Sequence, residues 1–132
     1  MHISGGCHCG AVRYTAEADP ESAIVCHCTD CQIFSGGAFR AVVFAKADQV
    51  KLTGQLKTYV KIADSGRKRA QVFCPNCGTH LYATSVDDPV SYGIRLGTVE
   101  QRNQLTPKRQ IWHRSAVAWL DGIEELPDAA VT

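Results

Sequence analysis

An all-β domain is the fold class that the sequence predicts, on three observations. Short segments rich in Val, Ile, Tyr and Thr recur between Gly, Asp and Pro turns. Several of these segments alternate apolar with polar residues, and no stretch keeps a helical period for long. The chain has 132 residues, 45% of them hydrophobic. That is enough for one domain burying roughly two thirds of its unfolded surface. A single domain over residues 1–132, with its core within about 3–127, is therefore expected.

In chain order, residues 11–16 set Val12, Tyr14 and Ala16 against Arg13 and Thr15, the alternation of a half-buried strand. Asp19-Pro20-Glu21-Ser22 reads as a turn, and residues 23–25 lead into Cys26-His27-Cys28-Thr29-Asp30-Cys31. Thr29 and Gln32 have capping-box spacing, which predicts one short helical turn starting near Thr29. Cys31 would lie in its first turn, where the dipole and free N–H groups favour a thiolate. Ser35-Gly36-Gly37 reads as a turn, and the nearly apolar residues 38–45 as a buried strand. Residues 50–53, 58–62, 69–73, 79–84 and 91–96 are further strands; Tyr92, Ile94 and Leu96 share one face of the last. Residues 99–104 are the best later helix, short and polar. The tail 108–120 is expected to lie as strand or extended chain over the core, burying Trp112 and Trp119. Leu126-Pro127-Asp128 ends the ordered part.

A formal net charge of +1 and 20% charged residues give no excess of either sign to attract nucleic acid or a membrane surface. No run approaches the roughly 18 apolar residues that a bilayer span needs. The N-terminus has neither a basic nor an apolar region of the export type, so a cytoplasmic protein is expected.

Seven cysteines are an odd number, and in a reducing compartment clustered cysteines are more often metal ligands or redox groups than disulfides. Cys7, Cys9, Cys74 and Cys77 total four, the ligand count of a closed structural zinc site. Cys-Pro-Asn-Cys-Gly is a strong knuckle signal, because C-x-x-C lets backbone N–H groups face the sulfurs and Gly78 permits a positive φ. Subtraction leaves Cys26, Cys28 and Cys31, one ligand short of closure. Water, a local side chain such as His27 or Asp30, or a substrate thiol are the candidates for the fourth position. A soft, thiolate-rich site prefers sulfur, and a thiol on zinc loses its proton near neutral pH.

Gly6-Cys7-His8-Cys9-Gly10-Ala11-Val12-Arg13-Tyr14, Cys26-His27-Cys28-x-x-Cys31, Ser35-Gly36, Phe73-Cys74-x-x-Cys77-Gly78 and Ile111-Trp112…Trp119…Leu126-Pro127 carry a resemblance. The chain resembles the glutathione-dependent formaldehyde-activating enzymes, the CENP-V/GFA family, over nearly its whole length. The resemblance implies an Mss4-like, all-β tent with two zinc ions per chain. It implies a structural zinc on Cys7, Cys9, Cys74 and Cys77, and a catalytic zinc on Cys26, Cys28 and Cys31. The implied reaction adds glutathione to formaldehyde and is classed as carbon–sulfur lyase. A small thiol and a small aldehyde are thus the expected partners, the aldehyde entering from the Ser35–Gly37 side.

Other readings accompany this one. A zinc-stabilised binding module requires the Cys26/Cys28/Cys31 set to be closed by a protein ligand. A methionine sulfoxide reductase of the B kind needs a nucleophilic cysteine outside the metal sites, and all seven are allotted. His2, His8, His80 and His113 lack paired ligand spacing and read as surface or satisfied side chains. Lys61 with Arg67-Lys68-Arg69 reads as a solvated strand edge, or as a meeting place for the carboxylates of glutathione.

Overall fold

A computed structural model describes residues 1–131, and they form the all-β domain that the patterning predicts. Eight strands, β1 (His2–Gly6), β2 (Arg13–Cys26), β3 (Arg40–Thr53), β4 (Lys57–Ile62), β5 (Lys68–Phe73), β6 (His80–Ser85), β7 (Ser91–Arg95) and β8 (Arg109–Ile111), share one sheet. The order is β1-β2-β3-β7-β6-β5-β4, all neighbours antiparallel, with β8 lying parallel to β2 along Ile24–Cys26. The later strands thus return as a meander from the far edge and close against β3. One helix, α1 (Thr29–Ser35), bridges β2 and β3.

Alternation explains which face is which. Val43, Ile94, Tyr82 and Val72 lie across from one another on successive strands and belong to the core with Ile3, Val12, Leu81 and Val99. Each such fully buried aliphatic contributes roughly 1.5–3 kcal/mol. One residue out of phase, the opposite face of the same strands carries Cys26, Arg40, Arg95, Gln71 and Arg69. The first face carries the main apolar cluster, and the second sets these polar and cysteine side chains among buried apolar residues such as Val42 and Ala83.

Four local expectations are corrected. Residues 11–16 and 23–25 are not separate strands around a turn, because β2 runs through Asp19–Ser22 as a bulge: the backbone N–H of Phe44 donates to the Ser22 hydroxyl at 2.9 Å and fills the gap in the ladder. Residues 38–45 and 50–53 likewise merge into β3. The helix N-cap is Cys28, not a Thr29/Gln32 box; its sulfur accepts from the Cys31 N–H at 3.3 Å, and Gln32 donates instead to the His27 carbonyl at 2.7 Å. Residues 99–104 hold only a 3-10 turn, Arg102–Gln104.

Trp112 and Trp119 are not core: they are 50% and 61% exposed. Of the tail, only Arg109–Ile111 pairs as strand, and short 3-10 turns, His113–Ser115 and Leu120–Glu125, follow. The tail contacts the end of β2 rather than roofing the sheet, with the His27 N–H bonded to the Ile111 carbonyl at 3.1 Å. Trp112 instead lies under the guanidinium of Arg114, 4.2 Å from its ring centre. No helix among the described residues is long and apolar enough to cross a membrane.

Candidate functional site

The seven cysteines fall into the two sets that their spacing separates. Within each set the sulfurs lie within 4.8 Å of one another. In a flat sheet of this order the β1–β2 and β5–β6 turns would lie about four strands apart, roughly 20 Å sideways at the usual strand spacing, and toward opposite ends of β3. The sheet therefore curls, helped by the bulges in β2, to bring Cys7 and Cys9 onto Cys74 and Cys77.

Both turns are built alike. The Gly10 N–H reaches the Cys7 carbonyl at 3.2 Å and the Gly78 N–H reaches the Cys74 carbonyl at 2.9 Å, each glycine at positive φ. The Val12 N–H donates to the Cys7 sulfur at 3.2 Å, and the Thr79 hydroxyl lies 3.2 Å from the Cys77 sulfur. Together with backbone N–H groups that hydroxyl draws the Cys77 thiol down to about 5. Burial would raise Cys7, but the Val12 N–H and the Cys9 and Cys74 sulfurs leave it lowered. A tetrahedron with metal–sulfur bonds of about 2.3 Å has edges of about 3.8 Å. Cys7–Cys9 at 3.6 Å and Cys9–Cys74 at 3.8 Å match that edge, so this set fits a four-thiolate metal.

The second set has three members. Cys26 ends β2, Cys28 caps α1, and Cys31 lies in the first turn of the helix. Burial, the largest influence, pushes Cys31 well above the ordinary thiol range, although Arg40 pulls it down. The expected preference for a Cys31 thiolate is thus reversed: its own N–H serves Cys28, and its sulfur is buried. Cys28 is lowered instead, because hydrogen bonds from Cys31 and Cys26 and the charge of Lys61 outweigh its burial.

Neither proposed closing side chain joins these sulfurs. His27, 1% exposed, bonds through Nε2 to the Gln110 side-chain oxygen at 2.8 Å and packs edge-on against Phe39 and His113. The Asp30 carboxylate pairs with Lys61 Nζ at 2.7 Å. Among the described residues no fourth His, Cys, Asp or Glu completes the set. The donors are soft and thiolate-rich, which suits zinc with one position open.

Cavities lie at both ends of α1. At its start, a cavity of about 490 Å³ is lined by Cys28, Thr29, Asp30, Lys61, Trp112 and Ser115, among others. Lys61 is thus brought to the cysteines, whereas Arg67 and Lys68 stay exposed at the β4–β5 turn. At its end, a cavity of about 530 Å³ is lined by Phe34, Ser35, Phe39, Arg40, His80 and Arg95 together with glycine and threonine residues.

Spacing gave no warning of Arg40, Arg95 or His80 in that second cavity. The available signal was an arginine inside each of two segments, 38–45 and 91–96, otherwise read as buried or half-buried strand. His80 is not a satisfied side chain: its Nδ1 is buried without a partner, and burial and Arg95 hold its pKa low.

Comparison with known proteins agrees with this geometry. A sequence profile of the family described as "Glutathione-dependent formaldehyde-activating enzyme" matches residues 2–115. An uncharacterized lyase of Schizosaccharomyces pombe is 30% identical over 107 residues, 81% of this chain and 75% of that protein. The crystal structure of a Rhodobacter sphaeroides protein matches with a TM-score of 0.61 over 81% of this chain and 98% of that one. At 23% identity that match shows a shared fold alone. The Mss4-like, all-β architecture and the cysteine pattern are those of the resemblance, and the chain belongs to the glutathione-dependent formaldehyde-activating enzyme family.

Proposed function

We propose that this protein is a carbon–sulfur lyase-type enzyme that adds a small thiol, of the glutathione kind, to a small aldehyde such as formaldehyde. Cys7, Cys9, Cys74 and Cys77 hold a structural zinc, and Cys26, Cys28 and Cys31 hold a catalytic one. The observation that carries this reading is the three-cysteine set: its sulfurs are gathered, no further protein ligand is within reach among the described residues, and Cys28 opens onto a cavity.

Zinc, when bound there, supplies a soft Lewis acid that lowers the pKa of a thiol and holds it as thiolate. The chain supplies position. Cys28 marks the mouth where sulfur is received, and Lys61, anchored by Asp30, puts a cation in the same cavity for an anionic group of the thiol. In the addition, the S–H bond breaks, an S–C bond forms, and the carbonyl oxygen takes a proton to become a hydroxyl. Thiol addition to an unhindered aldehyde is intrinsically easy, so orientation and thiolate supply account for most of the catalysis needed.

The test is the rate of S-(hydroxymethyl)glutathione formation, followed by exchange NMR above the uncatalysed background, for wild type and Cys28→Ser at equal protein concentration. The rate is expected to fall to background in the variant. An unchanged rate would overturn the proposal in favour of a zinc-stabilised binding module.

A further inference from the structure

We infer that the cavity at the end of α1 is a carboxylate site, and that the aldehyde substrate of this protein carries a carboxylate. The inference rests on the thiol–aldehyde reading above and names its substrate class. Arg95 is 7% exposed, and its guanidinium makes one side-chain hydrogen bond, from Nη2 to the Gln71 oxygen at 3.0 Å. Its Nε and Nη1 are buried and bond to nothing, and the same holds for Nε of Arg40. Buried guanidinium N–H groups without acceptors are costly, and a planar fork with free donors is the geometry that carboxylates fill.

No acid answers these charges. Arg40, Arg69 and Arg95 stand on one face of β3, β5 and β7, and among the described residues none is paired with Asp or Glu. Cys26 stands across the ladder from Arg40, yet no sulfur bonds to Nε or Nη1 of Arg95. The cavity that Arg40 and Arg95 line holds about 530 Å³, ample for a small acid, and Phe34 and Phe39 give it an apolar wall.

Placement assigns the carboxylate to the aldehyde. The cavity holding Cys28 and Lys61 is at the first turn of α1; the arginine cavity is at its last, beside Ser35. Cys26 and Arg40 are opposite each other on β2 and β3, so the cysteine set stands between the two. A thiol received at Cys28 leaves the arginine side for the other reactant. With glyoxylate, the S–H bond breaks, sulfur bonds to the aldehyde carbon, and its oxygen takes the proton; the carboxylate is unchanged and no redox partner is needed.

Two measurements test this. The first follows the arginine Nε–H resonances of the zinc-loaded protein during titration with propionate or propionamide. Propionate is expected to move the Arg95 and Arg40 signals to saturation, and propionamide to leave them in place. Arg95→Met should weaken propionate at least tenfold, with Arg95→Lys in between, because lysine keeps the charge and loses the fork. Arg40→Gln, at a half-buried position, guards against a variant that fails to fold. Failure of propionate to bind the wild type overturns the proposal.

The second compares background-corrected rates for glyoxylate against glycolaldehyde, and succinic semialdehyde against butanal, using 2-mercaptoethanol as an uncharged thiol. Wild type is expected to prefer the acids by roughly 100-fold, and Arg95→Met to bring that ratio toward one. If Arg95→Met instead removes a preference for glutathione over 2-mercaptoethanol, the site reads the carboxylate of the thiol and the aldehyde assignment falls. Propionate binding without turnover of any pair supports the carboxylate site and overturns the thiol–aldehyde reaction.

Discussion

Arg40 stands directly across the β2–β3 ladder from Cys26, so an arginine and a cysteine of the three-membered set share one face of the sheet about 5 Å apart at the backbone. Three thiolates on a divalent ion leave a net negative charge, and Arg40 is the cation whose field opposes the burial that raises Cys31. Arg40→Gln should therefore loosen zinc in the three-cysteine set about tenfold, the usual scale for a neighbour of a ligand. Competition with a chromogenic chelator measures this. The four-cysteine set should keep its affinity; equal loss from both would mean that Arg40 acts on the fold instead.

The four-cysteine site joins the β1–β2 and β5–β6 turns, which the sheet alone would leave apart. Structural zinc is worth on the order of 10 kcal/mol, comparable to the whole stability of a domain this size. Cys74→Ser, or prolonged treatment of wild type with a strong chelator, should abolish the cooperative thermal transition seen by circular dichroism. Cys28→Ser should retain it. A melt indifferent to chelator would exclude a structural metal.

Lys61 shares its cavity with Cys28, and its pairing with Asp30 raises its pKa and keeps it charged. Lys61→Ala is expected to raise KM for glutathione several-fold while changing kcat less than twofold, the pattern of a group that binds substrate and transition state alike. With 2-mercaptoethanol, which has no carboxylate, the KM should not move. Steady-state kinetics with the two thiols separates a contact to glutathione from a general loss of the site.

The cysteine partition was legible because spacing records it: each turn of the four-cysteine set pairs two cysteines with a glycine at positive φ, in Cys-x-Cys-Gly and Cys-x-x-Cys-Gly, the pattern that a metal knuckle would need. Strands were legible as alternation. Their continuity was not, because Asp19-Pro20-Glu21-Ser22 has the composition of a turn; only the Phe44 N–H meeting the Ser22 hydroxyl makes it a bulge. The tryptophans misled because hydrophobicity says nothing of whether a tail has a surface left to cover. Arg40, Arg95 and Gln71 lie far apart in the chain and meet through sheet order, which no local pattern records.

Gly5 shows how tightly the first strand is set against the end of β7. A methyl group at this position would run into the Thr98 carbonyl oxygen and the Tyr14 phenol. The oxygen is backbone and Tyr14 is 5% exposed, so neither neighbour yields cheaply. Gly5→Ala should cost about 1–3 kcal/mol, read as a lower urea midpoint with unchanged slope. An unchanged midpoint would show that Leu96–Thr98 adjusts freely.

The same contact sets an alkaline limit. The Tyr14 hydroxyl lies 2.8 Å from Thr98 Oγ1, which itself donates to the Arg95 carbonyl at 2.8 Å, so Tyr14 is the donor to Thr98. Burial pushes the Tyr14 pKa up from 10.0 to about 12. A phenol whose folded pKa is raised binds its proton more tightly in the folded state. Its contribution is fully present below pH 10 and is lost as pH rises through 12. Linkage across that window amounts to about 2 kcal/mol. Tyr82 is raised by burial too, so the informative quantity is the difference between wild type and Tyr14→Phe. Urea unfolding at stepped pH should show wild type the more stable by about 1 kcal/mol near neutrality, the scale of one hydrogen bond. That advantage should vanish and reverse as the pH approaches 12. A constant difference across the range would mean that Tyr14 titrates no later in the folded chain than in the unfolded one.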